Sequence, residues 1–329
     1  MNEDNNIKDD LDFWATNSEE GGWNISSTDE GSQKMLEEED EKQIKIQTGS
    51  DVVDDYVYSE ETTDDERMIV NMGPQHPSTH GVLRLQVELE GEVVRRVKPV
   101  IGYLHTGMEK TGEELAYFQG PTNTTRMDYL SPLFNELVFS LTTEKLLDIE
   151  VPERAKAIRI LMTELNRISS HLVALATGGM DIGALSMMIF GFRERELILN
   201  FFEKTSGLRM NHNYIRPGGV AADLPDNWQK DIKEILKIIP EKLKDYDEML
   251  LDNPIWQGRL KNVGILTTEE CFAYGITGPS LRASGFSWDL RKTQPYSGIE
   301  NYEFEVPLLT DSDVFSRWRI KVLEIFESL

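Results

Sequence analysis

The chain has 329 residues, a formal net charge of −24 at pH 7 and 39% hydrophobic residues, enough for one large core or two ordinary ones. An acidic surface of this kind argues against nucleic-acid binding, which needs clustered Lys and Arg against phosphate. The single cysteine, Cys271, excludes an internal disulfide and any thiolate-rich metal or iron–sulfur site supplied by this chain alone, and a reducing, cytoplasmic setting is the simplest reading.

The charge is unevenly spread. Residues 1–66 hold 22 Asp and Glu against 4 Lys and Arg, with runs such as Glu37-Glu38-Glu39-Asp40-Glu41. A segment so poor in apolar surface does not offset its ordering entropy, so residues 1–66 are expected to form a disordered acidic extension. Trp14 and Trp23 are its two exceptions and could dock weakly on a neighbour. The opening MNEDNNIKDD has no basic region and no apolar run, which excludes a secretory signal, and no stretch is long enough to span a membrane. Membrane contact would come through partners.

From Met68 the character changes. Val82 to Glu90 alternates, with Leu83, Leu85, Val87 and Leu89 on one face, and reads as a half-buried strand. A turn at Glu90-Gly91 and a second alternation from Val93 to Lys98 complete a β-hairpin. After Gly102 the pattern is helical. Pro152-Glu153 opens a helix with Ile158, Leu161, Leu165, Ile168, Leu172 and Leu175 in one stripe, expected to end at Gly178-Gly179. A second helix runs from about Ala184 to Ser206 and stops at Gly207. A third starts at Asn227, placing Ile232, Ile235, Ile239 and Leu243 on one face and a kink at Pro240. A last helix begins near Asp311 and is still running at Leu329. The fold class is α+β: a small N-terminal antiparallel β-layer over about 67–101, then a helical bundle over about 102–329, both in one domain of residues 67–329.

Five stretches carry chemistry-bearing side chains. In Gly73-Pro74-Gln75-His76-Pro77-Ser78-Thr79-His80-Gly81 two histidines stand four apart, but Pro74 and Pro77 break the helix that would aim both at one zinc ion. The plain reading is a loop whose histidines bond the backbone; a histidine presented from a sheet edge is also a proton-donor candidate. Gly102-Tyr103-Leu104-His105-Thr106-Gly107-Met108-Glu109-Lys110 and Thr125-Arg126-Met127-Asp128-Tyr129 follow. Asp128 reads as a helix N-cap and Tyr129 as a ring at the core edge with a wet hydroxyl. Asp181, in Gly178-Gly179-Met180-Asp181-Ile182-Gly183-Ala184, also reads as an N-cap. Asn211-His212-Asn213-Tyr214-Ile215-Arg216-Pro217-Gly218-Gly219-Val220 is a loop rich in donors and glycines.

Taken in order, GPQHPSTHGVLRL, GYLHTGMEK, RMDY, MDIGA and YIRPGGV closely resemble the D-subunit, or 49 kDa subunit, of proton-pumping NADH:quinone oxidoreductase (respiratory complex I), called the H-subunit in its chloroplast-type relative. The resemblance covers Met68 to Leu329. It implies the fold of the nickel–iron hydrogenase large subunit, whose metal site uses two cysteine pairs; one cysteine leaves the quinone branch. It also implies a plasma-membrane complex, held peripherally at the cytoplasmic face, in which this chain helps to reduce quinone with electrons from the terminal [4Fe–4S] cluster of the adjacent B-subunit. His80 and Tyr129 would donate to the two quinone carbonyls, Asp181 would orient or reprotonate His80, and Arg126 would lie between quinone and cluster. No cofactor or metal is expected on this chain: with no nucleotide-binding glycine fingerprint, NADH and FMN fall to other subunits. The partners implied are the B-subunit, the C-subunit and the membrane H-subunit of the quinone channel.

Two departures from the family are visible. Where many members read Arg-Met-His, this chain reads Arg209-Met210-Asn211, with His212 one place later. The family also continues past the position of Leu329, so the domain is expected to be incomplete at its C-terminus. A non-catalytic truncated paralogue serving as an assembly or scaffold subunit is the alternative.

Overall fold

The computed structural model describes residues 67–329; the expectations for residues 1–66, Trp14 and Trp23 lie outside the described residues. Strands β1 (Arg67–Met72), β2 (Arg84–Glu90) and β3 (Val93–Val100) form an antiparallel sheet in that order. Val87 pairs with Val70 on one side and Val97 on the other, and a bulge falls between Glu88 and Leu89. The hairpin is the one expected from alternation, although β2 starts at Arg84 rather than Val82 and β3 runs on to Val100. Burial departs from the pattern. Val87 is buried, while Met68, Ile69, Val93, Val94 and Val97 are exposed, because alternation assigns side chains to faces without supplying anything to cover them.

The link between β1 and β2 is a 3-10 turn at Pro77–Thr79. It folds back so tightly that a Cβ on Gly73, whose φ is +83°, would lie 2.3 Å from the Leu83 carbonyl oxygen. Only glycine fits there.

The helical part begins with α1 (Met108–Glu114), α2 (Gly120–Thr124), α3 (Pro132–Leu147), α4 (Glu153–Asp181) and α5 (Leu185–Ser206). A two-residue hairpin, β4 (Ile215–Arg216) with β5 (Gly219–Val220), precedes α6 (Trp228–Leu250). Short helices α7 (Pro254–Leu260), α8 (Thr268–Ala273), α9 (Gly278–Arg282) and α10 (Leu290–Thr293) lead to α11 (Val314–Ser328).

Helix α4 is the spine. Its stripe buries Ile158, Leu165, Ile168, Leu172 and Leu175, with Leu161 partly covered, against residues such as Met187, Ile198, Phe201 and Phe202 of α5. A Cβ on Gly191 would come within 2.7 Å of Ala176 Cβ, so α4 and α5 touch at their backbones. Gly178-Gly179 does not end α4 as expected; the helix continues to Asp181. Met187 packs on Gly179, where a Cβ would lie 2.7 Å from Met187 Cβ, so a glycine is needed here inside the helix. Helix α5 stops as expected at Gly207, which adopts the left-handed conformation. Helix α6 starts one residue after Asn227 and runs unbroken through Pro240, with Ile235, Ile239, Leu243, Tyr246 and Leu250 buried. Helix α11 starts at Val314, three residues past Asp311, because Asp313 caps it: its Oδ1 accepts from the Ser316 amide at 2.8 Å. Trp318 of α11 meets Trp256 of α7 edge to face at 5.5 Å.

Candidate functional site

The first element is the 73–81 loop. The Thr79 hydroxyl, 2% exposed, donates within the loop at 3.1 Å from both the Pro74 and His76 carbonyl oxygens. The His76 Nδ1 accepts from the Ser78 amide at 3.1 Å, so this nitrogen is consumed by the loop itself. His80 closes the 3-10 turn in the left-handed conformation, φ +53°. Its Nε2 lies 3.2 Å from Asp181 Oδ2, and since a carboxylate only accepts, Nε2–H is the donor. The pair bridges 101 residues and joins the β-layer's loop to the end of α4. Asp181 therefore closes α4 rather than capping α5, and its carboxylate is turned to the histidine.

Tyr129 and Arg126 sit on the segment between α2 and α3. Asp128 caps no helix: its Oδ1 accepts from the Leu130 amide at 3.1 Å, while α3 starts after Ser131 without a side-chain cap. Asn166 of α4 clamps this turn, donating to Leu130 O at 3.0 Å and accepting from the Leu133 amide at 3.1 Å. The Tyr129 ring is 45% exposed. The Arg126 guanidinium donates to the Thr122 carbonyl. Among the described residues, no hydrogen bond or ion pair joins Tyr129 or Arg126 to His80 or Asp181. The structure thus brings together one pair of the four and leaves the other two on the segment between α2 and α3.

Against Thr125 and the 213–219 hairpin lies a polar layer that the sequence reading missed. Glu136 of α3, fully buried, accepts from Thr125 Oγ1 and from the Asn213, Tyr214 and Ile215 amides at 2.6–2.9 Å. Burial pushes its carboxyl up, and those four donors work against that rise. Two turns on, Glu144 pairs with fully buried Arg159 of α4 and accepts from the Gly218 amide at 2.8 Å. Arg159 also donates to the Arg216 and Gly219 carbonyls. The YIRPGGV stretch is therefore a hairpin pinned by two buried carboxylates and one arginine. The signal was present: Glu136, Ser140 and Glu144 recur every four residues on the face that also holds Leu133 and Leu137.

His212 is buried beside Phe202, ring centroids 4.8 Å apart, with Nδ1 3.0 Å from the Leu208 carbonyl oxygen. Burial pushes it down to about 4 although that hydrogen bond works upward, so it is a neutral core imidazole near pH 7. A second buried histidine, His171, donates to Glu324 of α11 at 2.7 Å, and Arg282 donates to the same carboxylate at 2.7 Å. Burial alone would raise Glu324, but these two hydrogen bonds together outweigh it and hold the carboxyl at about 2.

An apolar cavity of about 590 Å³ opens elsewhere, between α4, α6 and the 299–304 loop, with Leu161, Trp228, Ile232 and Leu329 in its wall; His80, Tyr129 and Asp181 take no part in it. Among the described residues no cluster of His, Cys, Asp and Glu could hold a metal ion, and no helix is long and apolar enough to cross a membrane.

These features define an α+β protein with a three-stranded antiparallel layer ahead of a helical core, and a histidine–carboxylate pair on the open edge where the two meet. A family model described as "Respiratory-chain NADH dehydrogenase, 49 Kd subunit" matches residues 181–329. The chain is 59% identical over 267 residues to the NADH-quinone oxidoreductase D-subunit 1 of Salinispora arenicola (strain CNS-205), a match covering 80% of this chain and 60% of the relative. It is 54% identical over 289 residues to the NADH-quinone oxidoreductase D-subunit of Mycobacteroides abscessus, covering 87% of this chain and 67% of the relative. The chain belongs to this family, the 49 kDa or D-subunit family of the respiratory-chain NADH dehydrogenase. It spans about 60% of the length of the first curated relatives it matches.

Proposed function

We propose that this chain supplies the proton-donating face of a quinone-reducing site, as the D-subunit of a proton-translocating NADH:quinone oxidoreductase. The relatives' name pairs NADH with quinone, and one observation carries the reading to particular residues: His80 Nε2 is 3.2 Å from Asp181 Oδ2 on an exposed edge.

Quinone reduction takes up two electrons and two protons, and each carbonyl oxygen gains charge as electrons arrive. A donor aimed at each oxygen stabilises that charge and supplies a proton. With Nε2–H held by Asp181, the ring nitrogen that His80 has left for a carbonyl is Nδ1. When Nδ1 also carries a proton, its N–H donates to the carbonyl while Asp181 accepts from Nε2–H. Once the proton has left, Asp181 keeps the other proton on Nε2, so the next one returns to Nδ1. Tyr129 is the second donor: a phenol keeps its proton near neutrality until charge develops beside it. The fixed charge of Arg126 favours electron arrival from the terminal [4Fe–4S] cluster of the B-subunit. FMN and the iron–sulfur clusters belong to partner subunits in this reading. The B- and C-subunits and the membrane H-subunit of the quinone channel complete the site at the cytoplasmic face of the membrane, which accords with the half-exposed state of Tyr129 and His80 in the single chain.

The test is Tyr129→Phe in the membrane complex containing this chain. Quinone reduction should fall by about ten- to a thousandfold, the loss typical of one preorganised donor. Electron transfer from NADH to an artificial acceptor upstream should stay unchanged. Near-normal quinone reductase activity in the assembled variant would overturn the donor role. Assembly of the parent chain without turnover would favour the scaffold alternative.

A further inference from the structure

We infer that Arg259, from α7, is a positioning residue that holds Asp181 in register with His80. The inference rests on the reading of Asp181 and His80 as a working pair.

Asp181 is the last residue of α4, the place where a helix most readily frays. The chain leaves the helix through a tight turn: Ile182 N donates to Gly178 O at 3.2 Å, Gly183 N to Met180 O at 3.0 Å and Ala184 N to Gly179 O at 2.8 Å. One further bond comes from outside: Arg259 Nη1 donates to the Ile182 carbonyl oxygen, one peptide beyond Asp181. Gly183, at φ +99°, is where the guanidinium reaches in; a Cβ there would stand 2.7 Å from Arg259 Nη1. Arg259 reaches this point from a fixed base. Trp256 and Leu260 bury α7 in the core, and Asn253 Oδ1 caps it by accepting from the Ile255 and Trp256 amides.

The two consequences act together. Anchoring the Ile182 carbonyl ties down the peptide one beyond Asp181 and so restrains fraying of the last turn that carries the Asp181 side chain. A cation at a helix C-terminus also offsets the negative end of the helix dipole, against which the Asp181 carboxylate is otherwise placed. The one charged side chain shown against the His80 imidazole among the described residues is Asp181, at 3.2 Å. Arg259 makes no ion pair with Asp181 itself among the described residues; it works through the backbone.

The test reads the His80 ring rather than turnover. The 329-residue chain has five histidines, so ring-¹⁵N labelling gives a small set of signals, with His80 assigned by its loss in His80→Gln. In the parent, His80 should show a fixed tautomer protonated at Nε2, and Asp181→Ala, which removes the acceptor, should abolish it. Arg259→Met should likewise move His80 to the averaged tautomer of a solvent-exposed histidine while leaving His171 and His212 unchanged. Arg259→Lys should recover part of the parent signature, and Arg259→Gln, which keeps a donor without charge, less of it. Parent-like His80 signals in Arg259→Met, alongside altered ones in Asp181→Ala, would overturn the inference. Absence of a fixed tautomer in the parent would instead refute the pair itself. Should Arg259→Met shift all the histidine signals, the Lys and Gln variants decide, and parent-like signals in both would overturn it.

Discussion

The buried polar layer and the open edge use the same residue types to opposite ends. Around Glu136, Glu144 and Arg159 each charged group meets two or more hydrogen-bond partners, and exposure is 6% or less. At the edge, His80 and Asp181 share a single contact, their side chains are 45% and 35% exposed, and Tyr129 is half in solvent. Charge in the core is saturated and serves shape. Charge at the edge keeps hydrogen-bonding capacity unspent, as a group that must meet a substrate requires.

The contrast breaks most readily at Arg159. Arg159→Leu leaves the Glu144 carboxylate and the Arg216 and Gly219 carbonyls without their partner, and should cost about 3–5 kcal/mol in denaturant unfolding. A loss below about 1 kcal/mol would mean that the layer is dispensable.

Acid should erode the core next. The folded Glu324 carboxyl, at about 2, lies below its ordinary 4.5, so its stabilising contribution is complete above about 4.5 and disappears as pH falls toward 2. By linkage that contribution is about 3 kcal/mol. His171 is also depressed, by burial, from 6.5; its folded form resists protonation, so it too withdraws stability as pH drops below that value. Unfolding free energy measured from about pH 7 down to about pH 3 should fall, with a shallower acid limb in Glu324→Gln. A parent curve flat over that range would contradict the assignment.

The smallest effect should be at the edge itself. Asp181→Asn removes the charge from an exposed histidine–carboxylate contact and should change stability by no more than about 1 kcal/mol in thermal unfolding. A loss rivalling that of Arg159→Leu would make the edge a structural joint.

Long periodic segments were legible in the sequence because their burial is set by a repeat within the segment itself. The stripes of α4 and α6 follow the spacing of their apolar residues closely. What escaped depended on distant neighbours. Gly178-Gly179 reads as a stop until Met187 is packed on Gly179, and Asp181 changes from a cap into the end of a helix. Glu136 finds its partners in the 213–215 amides, which arrive from beyond α5. The closeness of His80 and Asp181 has no local signature at all, since 101 residues separate them; only the ordered set of motifs pointed to both.

Helix α4 carries Arg159 into the hairpin clamp, Asn166 under the Tyr129 turn, His171 onto α11 and Asp181 to the edge, all on one rod of 29 residues. At 1.5 Å and 100° per residue the rod is about 44 Å long, and inserting one residue between Arg159 and Asp181 would swing the carboxylate about a quarter turn away from His80. Substitutions along α4 disturb one contact at a time, whereas a change in its length puts every later contact out of phase.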